Sequence, residues 1–187
     1  MSAQDQSKWN ERHAHGDPGE PPGPFWRRVS PWIPQQGTAL DVAGGLGRHA
    51  FAMARHGLRV TLLDVSDVAV AAVNARAADL ALNVVARQWD LETNGVPAEL
   101  HDVVWCTFFW EAAVWAALEH VVKPGGVLCL AHPTQLNLQR HARPSARWLL
   151  APGAIHAVVP GWERLWEFED WTPQGTHEAQ LVARRPR

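Results

Sequence analysis

The chain has 187 residues but no tyrosine, only two cysteines and only two methionines. Cys106 and Cys129 lie in apolar runs without metal-ligand spacing. That excludes a disulfide framework and predicts free thiols in a reducing cytoplasm. Charge of one sign is lacking too. Seventeen Lys and Arg against 19 Asp and Glu give a formal charge of −2, with no basic face to attract nucleic acid or an anionic membrane. Glu111 and Glu119 interrupt the longest apolar region, Val103 to Val122, so no membrane span is expected. The opening MSAQDQSKWNERH carries no apolar signal region, which makes a cytoplasmic location the expectation. His13-Ala14-His15 has no third ligand at useful spacing, so no metal is expected. Neither a nucleic-acid nor a membrane partner is expected, and the oligomeric state is open.

Apolar residues make up 47% of the chain, enough for one domain with a sizeable core. Residues 1–37 are rich in Pro, Gly and charge and read as an N-terminal arm or lid; Trp9, Phe25, Trp26 and Trp32 predict that it packs. Residues 38–187 read as the main domain. Strands are predicted at Thr38–Val42, Leu58–Val65, Leu82–Trp89, Asp102–Phe108 and Val127–Ala131. Helices are predicted after Leu46, from Asp67 to about Leu80 with Ser66 as N-cap, and from about Trp110 to Val122. Lys123–Gly126 reads as a turn. Trp162–Trp171 and His177–Ala183, joined by Thr172-Pro173-Gln174-Gly175, read as a hairpin. This alternation predicts an α/β fold: a doubly wound, mostly parallel seven-stranded sheet with helices on both faces and a C-terminal antiparallel hairpin.

The segment Gly45-Leu46-Gly47-Arg48-His49-Ala50 matches the G-x-G-x-x-[GA] turn that brings a ligand against backbone at a helix N-terminus. A pyrophosphate or an amino-acid carboxylate would suit that loop equally. Three acids at consecutive strand ends separate the readings. Asp41 lies inside the first strand, where a carboxylate can hold an ammonium, directly or through water. Asp64 ends the second strand, where an acid can accept from both ribose hydroxyls. Asp90 ends the third, within reach of an exocyclic adenine amine.

LDVAGGLGRHA, LLDVS, QWDLE and VKPGGVLCL, in that order and spacing, resemble the motifs of the class I, seven-stranded S-adenosylmethionine-dependent methyltransferases over residues 38–185. WNERH and the ending HEAQLVARRP more weakly resemble the small tellurite-resistance-type members. The resemblance implies S-adenosyl-L-methionine as cofactor and a small-molecule methyl acceptor. It implies a binding set of Trp9, Arg12, Asp41, Ala43, Gly45, Gly47, Asp64, Val65, Asp90, Leu91 and Cys106. Ala43 replaces the first glycine of the motif; alanine disfavours positive φ, so a slightly reshaped loop is expected.

The acceptor is expected beyond the ends of the fourth and fifth strands, with His132 as the candidate base or polar anchor. A soft acceptor such as a thiol or chalcogen oxyanion needs no base. Trp9, Trp26 and Trp110 are candidates for shutting out water. Asp64→Ala is expected to weaken cofactor binding with little loss of stability. Two rival readings are a NAD-dependent oxidoreductase, opposed by Asp41, and a non-catalytic S-adenosylmethionine-binding module, suggested by Ala43.

Overall fold

The computed structural model describes residues 3–18 and 21–187. Its centre is one sheet of seven strands: β1 (Thr38–Val42), β2 (Arg59–Asp64), β3 (Val84–Gln88), β4 (His101–Thr107), β5 (Val122–Pro133), β6 (Glu163–Trp171) and β7 (His177–Arg184). The order is β3-β2-β1-β4-β5-β7-β6. Strands β1 to β5 run parallel, and β7 inserts antiparallel between β5 and β6. Strand order therefore reverses between β1 and β4, where such sheets open a crevice at the strands' carboxyl ends.

The strands are apolar on both faces because helices cover both. Along β1, Ala39 joins the cluster of Phe51, Met53 and Trp105, while Leu40 and Val42 join that of Trp115, Leu128 and Leu130. Helices α3 (Arg48–Arg55), α4 (Asp67–Asp79) and α6 (Ala112–Leu118) supply the crossovers. Ser66 caps α4 as expected, its Oγ accepting from the Ala69 amide at 3.1 Å.

Three elements depart from the sequence reading. The arm contains two helices, α1 (Ala3–His13) and α2 (Pro24–Val29), rather than loop alone. The second buries Phe25 and Trp26 against Trp105, with ring centroids 5.1 and 5.6 Å away. A short helix, α5 (Leu91–Asn94), follows Asp90. Finally, β5 starts at Val122, and Lys123–Gly126 is an irregularity inside the strand. Its pairing with β4 shifts from His101↔Val122 to Val103↔Val127.

A buried polar staple fixes the hairpin to the carboxyl end of β5. Asn137 Nδ2 donates to the His177 carbonyl at 2.6 Å and the Thr134 carbonyl at 2.9 Å, and its Oδ1 accepts from the His177 amide at 3.0 Å. The Thr134 hydroxyl and His177 Nδ1 lie 2.8 Å apart.

Candidate functional site

The carboxyl ends of β1, β2 and β4 and the start of α5 surround a cavity of about 330 Å³. That volume lies in the range of small-ligand pockets. The floor is the glycine loop. Ala43, Gly45 and Gly47 all have positive φ, at 53°, 54° and 79°. Ala43 thus keeps the conformation a glycine would take, and the loop is not reshaped to suit it. Left-handed backbone costs an alanine about 1 kcal/mol. Ala43→Gly should accordingly raise unfolding stability by up to ~1 kcal/mol, partly offset by glycine's greater unfolded-state freedom. Urea denaturation of the two proteins measures this; a loss of stability would mean that the alanine methyl makes compensating contacts.

Asp64 staples this loop. Its Oδ2 accepts from the Gly45 amide at 2.8 Å and its Oδ1 from the Ser66 amide at 2.9 Å, and the Val65 amide adds a third bond. A carboxylate offers about four acceptor sites, so one ribose hydroxyl can join without displacing an amide. Burial raises the Asp64 pKa, against the pull of these amides and of His13. The expectation that Asp64→Ala would spare the fold is corrected by this bonding, which makes the side chain part of the loop's structure.

Asp41 lies beneath the loop rather than in the cavity wall. An added Cβ on Gly44 would come within 2.9 Å of its Cγ. It accepts from the Ala50 amide in the first turn of α3, while its Oδ2 has no hydrogen-bond partner among the described residues. Burial pushes its pKa up to about 8; the Ala50 bond opposes the shift and the Asp64 charge adds to it. Two neighbouring acids are therefore held in a setting that a ligand's cationic group would relieve.

The arm closes the cavity from above. Trp9, Arg12, His13 and Asp17 line it. The His13 ring stacks on Trp9 at 5.6 Å, and its Cε1 stands 3.2 Å from where a Cβ on Gly45 would be. Polar contacts hold α1 to the start of α4. Gln6 and Asn10 donate to Asp67 Oδ1 at 3.0 and 2.8 Å, and Ser66 Oγ donates to Asn10 Oδ1 at 2.7 Å.

Of the residues expected at the site, Trp9, Arg12, Ala43, Gly45, Asp64, Val65 and Leu91 line the cavity. Gly47, Asp41, Asp90, Cys106 and His132 do not. Gly47 is buried against Phe51 and Val73. Asp90 caps α5, accepting from the Glu92 and Thr93 amides at 3.0 and 3.2 Å. Cys106 is fully buried, and burial pushes its thiol pKa up. His132 belongs to the opposite face of the sheet, edge-on to Trp115 at 6.3 Å. Its Nε2 donates to the Trp148 carbonyl at 2.9 Å, and burial lowers its pKa. Trp26 is in the core, and Trp110 packs on Trp115 at 4.9 Å; neither lines the cavity.

Two histidines that sequence reasoning did not place here are His13 and His49. Both line the cavity. The signal for His13 was the spacing Gln6, Trp9, Asn10, His13, one face of a helix. The signal for His49 was its position two residues after Gly47, on the first turn of α3.

Residues 39–126 match the family described as a methyltransferase domain. The fold is shared with a solved S-adenosylmethionine-dependent methyltransferase. A curated relative, the ubiquinone biosynthesis O-methyltransferase of Serratia proteamaculans (strain 568), is 32% identical over 153 residues. The match covers 79% of this chain and 56% of that relative, so the chain spans little more than half its length. TehB from Haemophilus influenzae superposes with a TM-score of 0.72 at 17% identity, covering 86% of this chain and 61% of that one. An S-adenosylmethionine-dependent methyltransferase from Mesorhizobium loti gives 0.68 at 15%, covering 86% and 97%. At these identities the likeness to solved structures is one of fold.

Proposed function

We infer that the protein is an S-adenosylmethionine-dependent methyltransferase acting on a small-molecule acceptor. The observation that carries this reading is the pair Asp41 and Asp64. Both are buried carboxylates, raised in pKa by burial, on either side of one glycine loop at the carboxyl ends of adjacent strands. S-adenosylmethionine supplies an activated methyl group on a sulfonium and carries an ammonium that this pair would favour. Asp64, Val65 and Leu91 line the same cavity, which supports a role for Asp64 toward the ribose and for Leu91 toward the adenine. Gly44 and Gly45 let it approach the chain closely, and the start of α3 favours its carboxylate.

Trp9 and His13 line this end of the cavity, where their rings would limit the access of water. Ala43 takes the glycine conformation, which removes the one sequence argument for a module that had lost catalysis. A cavity of about 330 Å³ favours a small acceptor over a macromolecular one. Thiolates or chalcogen oxyanions would need no base, whereas a hydroxyl acceptor, as the relative's name implies for that protein, must lose a proton.

The arm supplies a test. Deleting residues 1–17 removes Trp9, Arg12 and His13 and should weaken S-adenosylhomocysteine binding about tenfold or more in calorimetry. The melting temperature should fall by only a few degrees, because among the described residues none of α1 belongs to either core cluster. Unchanged affinity in the truncated protein would remove the arm from the site.

A further inference from the structure

Building on the methyltransferase reading above, we propose that His49, oriented by Thr107, takes the proton from a small aromatic hydroxyl acceptor bound against Phe108 and Phe109. The cavity runs across the strand ends. Asp64, Val65 and Leu91 mark its nucleoside end, beside β2 and β3. His49, Thr107, Phe108 and Phe109 mark the other end, beside β4. The order β3-β2-β1-β4 separates β3 from β4 by three strand spacings, roughly 14 Å. Reacting groups therefore belong at the β4 end.

There His49 is held in one orientation. Its ring packs on Trp105 with centroids 4.8 Å apart and planes at 33°. Its Nδ1 lies 3.3 Å from Thr107 Oγ1, and Nε2 makes no hydrogen bond among the described residues. In the tautomer that carries the proton on Nδ1 and donates it to Thr107, Nε2 keeps a free lone pair on a residue that lines the cavity. Burial, aided by Arg48, pushes the imidazole pKa down to about 3, so the ring is neutral throughout the physiological range.

A neutral lone pair offers nothing to an anionic acceptor, but it orients a hydroxyl by accepting its hydrogen bond. Aromatic acceptors suit the remaining walls. Phe108 is 55% exposed and holds a positive φ of 59°, a conformation uncommon for a bulky residue and one that recurs at functional sites. Phe109 lines the same end. During transfer, an oxygen lone pair of the acceptor forms the new bond to the methyl carbon. The carbon–sulfur bond breaks with its electron pair going to sulfur, leaving a neutral thioether. The hydroxyl proton passes to His49 Nε2, and then to water when the arm opens. A protonated ether is a far stronger acid than imidazolium, so even this weakly basic ring accepts the proton downhill.

The test uses the full chain with catechol as acceptor probe and benzenethiol as comparison, reading S-adenosylhomocysteine formation and, separately, its calorimetric affinity. The wild type should methylate catechol. His49→Gln should lower kcat about a hundredfold or more, with S-adenosylhomocysteine affinity changed less than about threefold. Thr107→Val should lower kcat about tenfold, and the double variant should be no worse than His49→Gln alone, because Thr107 acts through His49. In wild-type protein saturated with S-adenosylhomocysteine, catechol should move the His49 Nε2 resonance in a 15N spectrum, a readout that needs no variant.

Full activity of His49→Gln, an equal loss of S-adenosylhomocysteine affinity, a silent Nε2 resonance, or wild-type activity on benzenethiol but not catechol would each overturn the proposal. A wild type that binds no S-adenosylhomocysteine would instead overturn the reading on which it rests.

Discussion

Asp64→Ala is expected to lose at least about a hundredfold in S-adenosylhomocysteine affinity and roughly 2–4 kcal/mol of folding stability together. Both losses have one origin. The carboxylate bonds the amides of Gly45, Val65 and Ser66, so its removal strands donors at the turn that shapes the cavity floor. It also removes the acceptor proposed for the ribose. The measurement is calorimetry beside urea denaturation on the same preparations. Asp64→Asn should fall between, because an amide oxygen can still accept from some of these donors. An alanine variant as stable as wild type, with its affinity intact, would mean that neither the loop nor the nucleoside depends on this acid.

The second large effect is on pH. Asp41 has its pKa pushed up to about 8, so the ligand-free protein holds a proton there at neutrality. An ammonium brought across Gly44 favours the carboxylate and drives that proton off. S-adenosylhomocysteine affinity should therefore rise with pH between about 6 and 8, approaching tenfold per unit, and level off above 8. Titrations in buffers of different ionisation enthalpy should detect a released proton.

The stability of the ligand-free protein should move the other way. The folded-state pKa lies above the unfolded one, so Asp41's contribution is fully present below about pH 4 and is lost as pH rises through 8. In Asp41→Asn, the pH dependence of binding should flatten and stability at pH 8 should exceed that of wild type. A flat affinity profile in the wild type would separate Asp41 from the ligand.

What was legible in the sequence follows from how each part is held. β1 to β4 and the hairpin were read to within a few residues, because buried strands announce themselves as apolar runs punctuated by glycine and acids. The glycine turn, the acid ending β2 and the acid just beyond β3 were visible for the same reason. Helix α1 was not, since its contact stripe of Gln6, Trp9, Asn10 and His13 is mostly polar and docks through hydrogen bonds to Ser66 and Asp67. Apolar periodicity cannot report such a face. Lys123-Pro124-Gly125-Gly126 was read as a turn because local composition outweighs register in a short window; Gly125 does take a positive φ, but the stretch is an irregularity within β5, where the pairing with β4 shifts register.

His132 illustrates the limit of reading a strand end without its facing. Alternation puts it with Leu128 and Leu130 on the α6 side, while one of the two cavity histidines, His49, belongs to the helix that crosses the other face.

The central claim, that this loop holds the methyl donor, is tested most directly by titrating the intact protein with S-adenosylhomocysteine and with NAD side by side in a calorimeter. The account predicts saturable binding of S-adenosylhomocysteine at one site per chain, with a proton released at pH 7, and no heat from NAD. Saturable binding of NAD with none of S-adenosylhomocysteine would contradict it.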